Sequence, residues 1–400
     1  MRLTLGVRRR TLGPVPTPLR LLPTAGLSAE ELTAAFAGAL DGAYVLAPLP
    51  PDPVEAAGVR RMLAAAETPG AVPDDVALVV STSGSTGTPK GVMLSAAAIR
   101  AGAAATDSRL GGPGEWSLAL GAHYVAGAMV VCRALLAGEA LHLVSPHLAG
   151  IAAATSRPGA RHYLSVVPTQ LARLHEDAAT LAALAGFDAL LLGGAAVDPA
   201  LLAHLRAAGL RLVTTYGMSE TSGGCVYDGR PLDGVDVRAQ ADGRLAICGP
   251  VLFSGYLGRP DLTAEVLRVD DGRPTLLTGD RGEVAPDGTV RVLGRLDDVV
   301  ISGGLNVDLA AVQVAVRRVL GTSDAVALGV PDSVWGTRVV VVTTVRTSLA
   351  QLRDALSPVL AHHALPRGLS RLDVLPTTSS GKIDRRALLA AWESTDKELA

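Results

Sequence analysis

The chain has 400 residues, 48% of them hydrophobic and 18% charged, with a formal net charge of -2. That length suits two or three domains around a large core, and that composition excludes a disordered class. The near-neutral balance supplies no global field for nucleic acid or an anionic membrane surface, so neither is expected as a partner.

Near the start, Arg8, Arg9 and Arg10 precede no apolar segment of the kind a secretory leader needs. The apolar stretch 118–143 is interrupted by His123, Arg133 and Glu139, which argues against a membrane span. Cys132, Cys225 and Cys248 lie far apart without metal-ligand spacing and suit a reducing compartment. A soluble cytoplasmic protein is expected.

The first seventy residues read as Pro-rich turns around a helix near 28–40. Then come a strand at 76–80, the loop STSGSTGTPKG at 81–91, and a helix from about Ser95, a suitable N-cap. Further on, strands at 141–144, 163–167, 189–192 and 212–215 alternate with helices at 152–155, 170–185 and 199–208. That alternation predicts a parallel sheet with helices on its faces. From about 228, short strands with Asp-Gly turns predict an antiparallel β-subdomain reaching 295, with Asp287-Gly288 as one hairpin turn. Past GRLDD (294–298), strands at 299–301, 325–330 and 339–345 and helices at 309–320 and 349–361 predict an independent α+β unit. The expected fold is α/β, with a domain at 1–295 and a smaller one at 296–400.

Of the 36 basic residues only Lys90, Lys382 and Lys397 are Lys; the other 33 are Arg. Where a solvated cation is normally written Arg, a retained Lys marks a place that needs a compact ammonium. Lys397 stands in a polar tail, but Lys90 and Lys382 both stand in Ser/Gly loops. The 81–91 loop combines hydroxyls, flexible glycines and Lys90 after a strand. Read as strand, loop and helix, it would turn backbone N–H groups and a helix dipole toward an anion. Its spacing is not that of a Walker A loop, because Gly-Thr-Pro-Lys replaces Gly-Lys-Ser/Thr. TTYGMSET (214–221) would lie at the carboxyl edge of the sheet, where ligands bind in open α/β folds. There a carboxylate among hydroxyls could hold Mg²⁺ with phosphate oxygens. LTGDRGEV (277–284) and LGRLDDVVISGGLNV (293–307) would set Asp280 and Arg295 to face one polar ligand. TTSSGKIDRRAL (377–388) carries Lys382 in a Ser-Gly turn.

These four stretches, in this order, resemble the core motifs of the adenylate-forming enzymes, which include acyl-CoA synthetases, amino-acid-activating modules and luciferases. The resemblance spans about residues 75–390. It implies a large N-terminal domain of parallel-rich sheets and helices with a β-subdomain, and a small mobile α+β C-terminal domain. It also implies ATP, Mg²⁺ and coenzyme A as cofactors and a small-molecule carboxylic acid as substrate. By resemblance, Thr82, Ser83, Gly84, Ser85, Thr86, Gly87 and Lys90 form the phosphate loop, and Gly194 and Ala195 lie in the adenine-contacting segment. Tyr216 lies against adenine within Tyr216-Gly217-Met218-Ser219, where Ser219 stands in place of a usual Thr. Glu220 is then the Mg²⁺ carboxylate, Asp280 and Arg295 hold the ribose hydroxyls, and Asp297 is the hinge. Gly303 and Gly304 line the coenzyme A tunnel, and Lys382 reaches the adenylation site. Lys382, Lys90 and Glu220 are the expected catalytic set.

Within that family the chain is most similar to the compact o-succinylbenzoate–CoA ligases of menaquinone synthesis. LALGAHYVAGAMVVCRALLAG (118–138) and YLSVVPTQLARL (163–174) resemble their acyl-pocket segments, which makes His123, Gly127 and Arg133 the expected substrate residues. Gly121 departs from the Pro usual in that turn. A cation on an otherwise apolar helix suits a second substrate carboxylate, with Arg133 gripping it in a bidentate pair; the alternative is an Arg reaching out to solvent. Three other readings stay open: the same chemistry on another aromatic or medium-chain acid, an adenylation module loading a carrier protein, and a catalytically silent scaffold. The full set Lys90, Glu220, Asp280, Arg295 and Lys382 argues against the scaffold. The oligomeric state is open, with a homodimer as one option.

Overall fold

The computed structural model describes residues 17–68, 70–82, 89–155, 157–174, 177–378 and 382–396, with 394–396 by backbone alone. Its strands form four sheets. The first runs in the order Leu19–Pro23, Val45–Leu49, Val76–Thr82, Lys90–Ser95, Gly255–Tyr256. Its first three strands are parallel and the last two join antiparallel. Between the leading strands, helix Ala29–Leu40 starts at a capping box of Ser28 and Glu31. Helix Pro53–Leu63 begins where Asp52 accepts from two backbone N–H groups and Pro53 needs none. The Pro-rich turns expected here thus punctuate real strands.

The strand–loop–helix expectation at 76–100 is corrected. Lys90–Ser95 is a strand, antiparallel to Val76–Thr82, with Thr82 opposite Lys90. Helix Ala96–Leu110 starts only after it, and the Ser95 hydroxyl accepts from Ala98 N. The apolar run Val92-Met93-Leu94 is too short for periodicity to separate strand from helix, and the helical pattern after it masks it. The described strands on either side of 83–88 thus pair with each other, and the helix N-terminus lies a full strand beyond Lys90.

The second sheet has seven strands in the order Arg230–Pro231, Gly223–Tyr227, Leu212–Met218, Ala189–Leu192, His162–Val166, Glu115–Leu118, Leu141–Leu143. The five from Leu212–Met218 onward are parallel, as the alternating pattern predicts. The helix expected over 170–185 is two pieces, Pro168–Ala172 and Ala178–Leu184, the second restarted by an Asp177 cap. The segment Ile151–Thr155 is a 3₁₀ turn. One continuous core joins the first two sheets to helices Ala29–Leu40, Ala96–Leu110 and Val125–Ala137 through Phe36, Leu78, Leu94, Ile99, Met129 and Trp116. Each large side chain buried there contributes about 1.5–3 kcal/mol.

The third sheet is antiparallel, with strands Asp236–Ala239, Arg244–Cys248, Arg273–Val284 and Leu267–Asp270 in order, and Val290–Arg295 paired to Arg273–Val284. Val284 pairs with Val290 around the expected Asp287-Gly288 turn. The 228–295 stretch is not self-contained, however: Arg230–Pro231 joins the second sheet and Gly255–Tyr256 the first. Two-residue strands carry no alternation, so the sequence pattern does not reveal them. The fourth sheet holds Leu305–Asp308, Val299–Ser302, Gly336–Thr343 and Ala325–Asp332, with Gly368–Arg371 parallel to Gly336–Thr343. Helices Leu309–Leu320 and Leu349–Leu356 cover one face through Val312, Val316, Leu352 and Leu356. Helix Arg385–Asp396 covers the other through Leu388 and Trp392. Among the described residues no helix is long and apolar enough to cross a membrane.

Candidate active site

The carboxyl ends of two parallel strands, Ala189–Leu192 and Leu212–Met218, lie side by side and run into half-buried and exposed residues at the sheet edge. Gly193 follows the first strand so closely that a Cβ there would lie 2.2 Å from the Thr215 hydroxyl. Gly194 has φ +84°, a conformation that favours glycine, and leads into the exposed Ala195. Lys382 meets this edge: its Cε lies 3.4 Å from where a Gly194 Cβ would stand. Its turn is fixed by Thr378 N donating to the Lys382 carbonyl at 2.7 Å and by the Thr377–Ile383 bridge. Solvent still reaches the Lys382 side chain, yet the protein crowding around it disfavours the ammonium and lowers its pKa.

A chain of hydrogen bonds runs from the second sheet to the end of the third. The Tyr216 hydroxyl donates to Asp280 Oδ2 at 2.8 Å. Arg295 Nη1 donates to Asp280 Oδ1 at 3.3 Å, and its Nε and Nη2 reach the Asp297 carboxylate at 2.8 and 3.2 Å. Asp280 and Arg295 are direct cross-strand partners, and a Cβ at Gly279 would strike the guanidinium. Burial first, then the Asp280 charge, pushes the Tyr216 phenol above its usual range. The Asp297 hydrogen bonds hold Arg295 protonated against the opposing effect of burial.

Glu220 sits in the 3₁₀ turn Ser219–Thr221 between the antiparallel strands Leu212–Met218 and Gly223–Tyr227. The turn is tight: a Cβ on Gly217 would lie 2.1 Å from the Gly223 carbonyl, and the Thr221 hydroxyl accepts from Met218 N. The Glu220 carbonyl accepts from Phe253 N, and its Oε1 accepts from the Tyr256 hydroxyl at 2.7 Å. Lys90 places its ammonium 5.2 Å from the centroid of that same Tyr256 ring. Thr82 and Lys90 face each other at the mouth of the loop, while Ser83, Gly84, Ser85, Thr86 and Gly87 lie outside the described residues. Among the described residues no group of three or more His, Cys, Asp or Glu could hold a metal ion. A divalent cation here would rest on a single carboxylate and on a ligand's own oxygens, as Mg²⁺ does with nucleotides. Glu220 fits that demand, since no described residue donates to its Oε2.

The expected substrate residues split. His123 and Gly127 share the turn that opens helix Val125–Ala137. A Cβ on Gly127 would lie 2.2 Å from the Gly121 carbonyl, and a Cβ on Gly121 would strike the His123 ring. The bulk of the His123 imidazole thus explains glycine at 121. His123 is 5% exposed, neither ring nitrogen has a partner among the described residues, and burial lowers its pKa to about 4. Arg133 is not brought to it. It does not reach solvent: it is 3% exposed, donates to the Tyr227 hydroxyl at 3.4 Å and stands 5.1 Å from the Trp116 ring. Its positive field acts on the half-buried Asp107, whose pKa desolvation nonetheless raises. The expectation of a substrate-gripping Arg133 meets a core cation with core partners.

Gly303 and Gly304 turn the hairpin between Val299–Ser302 and Leu305–Asp308 with φ +59° and +80°. A Cβ on Gly303 would meet the Trp335 ring, over which Arg367 stacks at 3.8 Å, while one on Gly304 would meet open space. Two residues escaped the sequence reading. Tyr256 could have been found, because aromatics are 3% of the chain and each is informative, and it follows a Gly in FSGYLGRP. Arg281, which pairs with the helix-capping Asp308, is one Arg among many and carries no such mark.

A sequence model of the AMP-binding enzyme family matches residues 25–289, and one of the AMP-binding enzyme C-terminal domain matches 312–382. A Mycobacterium tuberculosis protein named "Probable 2-succinylbenzoate–CoA ligase" is 42% identical over 334 residues, covering 80% of this chain and 85% of that protein. Among solved structures, an amide bond synthetase from Marinactinospora thermotolerans aligns with TM-score 0.69 at 27% identity, over 80% of this chain and 70% of that one. Unliganded o-succinylbenzoate coenzyme A synthetase from Bacillus subtilis aligns with TM-score 0.72 over 90% of this chain and 88% of that one; at 20% identity it speaks for the fold.

Proposed function

Because the chain belongs to the AMP-binding enzyme family, we propose that it is an AMP-forming acid–CoA ligase that converts o-succinylbenzoate to o-succinylbenzoyl-CoA in menaquinone synthesis. Two observations support the chemistry: Lys382 is set against Gly194, and Tyr216, Asp280 and Arg295 form one hydrogen-bonded chain. The observation that favours the acid is the 42% identity to the mycobacterial protein over most of both chains.

In the first half-reaction a substrate carboxylate oxygen attacks the α-phosphorus of ATP, forming the acyl–phosphate bond and breaking the bond to pyrophosphate. Anion meets anion, so the barrier falls with every cation already in place. Lys90 and the 82–90 loop hold the outer phosphates, the Asp280 carboxylate takes the ribose hydroxyls with Arg295 steadying it, and Tyr216 packs on the base. Lys382 spans the incoming carboxylate and the α-phosphate. Mg²⁺, when bound at Glu220, neutralises phosphate charge. In the second half-reaction the coenzyme A sulfur attacks the acyl carbon, AMP departs and the thiol proton is released. Lys382 stands where it serves the first step, so the second requires it to leave.

We assign the two roles to 1–295 and 296–400, turning about Asp297. This division is supported by the third sheet ending at Arg295 and the fourth starting at Val299. Gly303, Gly304 and the Trp335 surface would be carried to the thiol path by that turn. The test is a panel of acids supplied with ATP and coenzyme A. AMP and pyrophosphate should appear, fastest with o-succinylbenzoate. Release of ADP would overturn the adenylation chemistry, and a faster aromatic or medium-chain acid would overturn the substrate.

A further inference from the structure

We propose that Tyr256 is a positioning residue that holds Glu220 as a one-oxygen cation ligand and keeps it apart from Lys90 before nucleotide arrives. This rests on the reading of Glu220 as the magnesium carboxylate.

Three contacts put Tyr256 in that place. Its hydroxyl donates to Glu220 Oε1 at 2.7 Å, and its ring face carries the Lys90 ammonium at 5.2 Å. Its backbone belongs to the two-residue strand Gly255–Tyr256, in which Tyr256 pairs with Val92, two residues beyond Lys90. The ring is fixed from behind as well: Tyr256 N donates to the Thr263 hydroxyl at 2.9 Å, and Phe253 packs edge-on at 5.0 Å. Phe253 N in turn holds the Glu220 carbonyl, so one short segment grips both ends of the acidic residue.

A carboxylate and an ammonium left in an empty cleft would close on each other, and each nucleotide would then have to break that pair. A neutral phenol between them prevents this. It satisfies the ammonium through the ring quadrupole and one carboxylate oxygen through a hydrogen bond. The other carboxylate oxygen has no donor among the described residues. Tyr256 is 7% exposed, and its hydroxyl is the donor in the bond to Glu220 Oε1.

The test is equilibrium ATP binding by calorimetry, with and without Mg²⁺, on the full chain. In the wild type Mg²⁺ should tighten ATP binding. Tyr256→Phe keeps the ring and loses the hydroxyl. It should lose about tenfold of the Mg²⁺ enhancement, the scale of one hydrogen bond to a charged group, with metal-free affinity changed less than about twofold. In a Glu220→Gln background the same substitution should change the Mg²⁺ dependence little, because the charge it serves is gone. Full Mg²⁺ enhancement in Tyr256→Phe would overturn the assignment, as would equal losses with and without Mg²⁺, which a general packing defect would give. A wild type indifferent to Mg²⁺ would instead overturn the Glu220 reading and this inference with it.

Discussion

Asp280 and Arg295 face each other as cross-strand partners, and each is claimed from its other side, Asp280 by the Tyr216 hydroxyl and Arg295 by Asp297. The Asp280 carboxylate is thereby held from both flanks before any sugar arrives. Asp280→Ala should raise the KM for ATP about 10–100-fold, the scale of one or two hydrogen bonds to a charged acceptor. Tyr216→Phe should cost less, because Arg295 still orients the carboxylate. Steady-state kinetics with ATP varied decides it; an unchanged KM in Asp280→Ala would remove the ribose role.

Lys382 approaches Gly194 in the state seen here. Lys382→Ala should lower acyl-adenylate formation about a hundredfold or more, the range for losing one preorganised donor at a developing charge. Thioester formation from supplied acyl-adenylate should be spared. Measuring the two halves separately is essential, because equal loss in both would defeat the assignment of Lys382 to the first step alone.

Arg133 is a core residue here, and that changes what its removal should do. Arg133→Met should destabilise the protein by roughly 0.5–3 kcal/mol, the usual range for replacing a hydrogen-bonded side chain in a filled core. It should leave the KM ratio between a dicarboxylic acid and its monocarboxylic analogue unchanged. A selective rise for the dicarboxylic acid would restore Arg133 to the substrate.

His123 titrates at about 4 in the folded chain against 6.5 for a free side chain. Between those values the unfolded state binds the extra proton. The stability contribution is therefore complete above about pH 6.5 and is lost as pH falls toward 4. The full loss is about 3 kcal/mol. Melting curves across that window should fall more steeply for the wild type than for His123→Phe; parallel curves would mean that His123 is not buried neutral.

The sequence made the parallel sheet, the Asp287-Gly288 hairpin and the helix 309–320 legible, because long periodic runs and turn residues act locally. It did not disclose Lys90–Ser95 as a strand, since its hydrogen bonds go to a neighbour across a Gly-rich loop and its apolar run is short. Gly255–Tyr256 was hidden for a related reason: two residues have no period, and their partner strand lies more than 160 residues earlier. For the site, residue types supplied the candidates. Lys90 and Lys382 stood out against 33 Arg. Side-chain direction was the part that could not be read. Arg133 and Met129 lie one helical turn apart, and only packing decides that the guanidinium ends among Trp116 and Tyr227.

The position of Lys382 has a chemical consequence for the enzyme itself. An acyl-adenylate is a mixed anhydride that acylates amines as readily as thiols, and this chain offers few amines: three lysines and its N-terminus. The one beside Gly194 is also the one that the proposed chemistry brings against the activated carboxyl. An enzyme starved of coenzyme A should therefore label itself at Lys382 first, an inactivation that peptide mass mapping after turnover without thiol would reveal as one acylated site. The departure of that amine proposed above would then be self-protection as much as a step in catalysis, and a chain that writes 33 of its 36 basic residues as Arg offers few other targets.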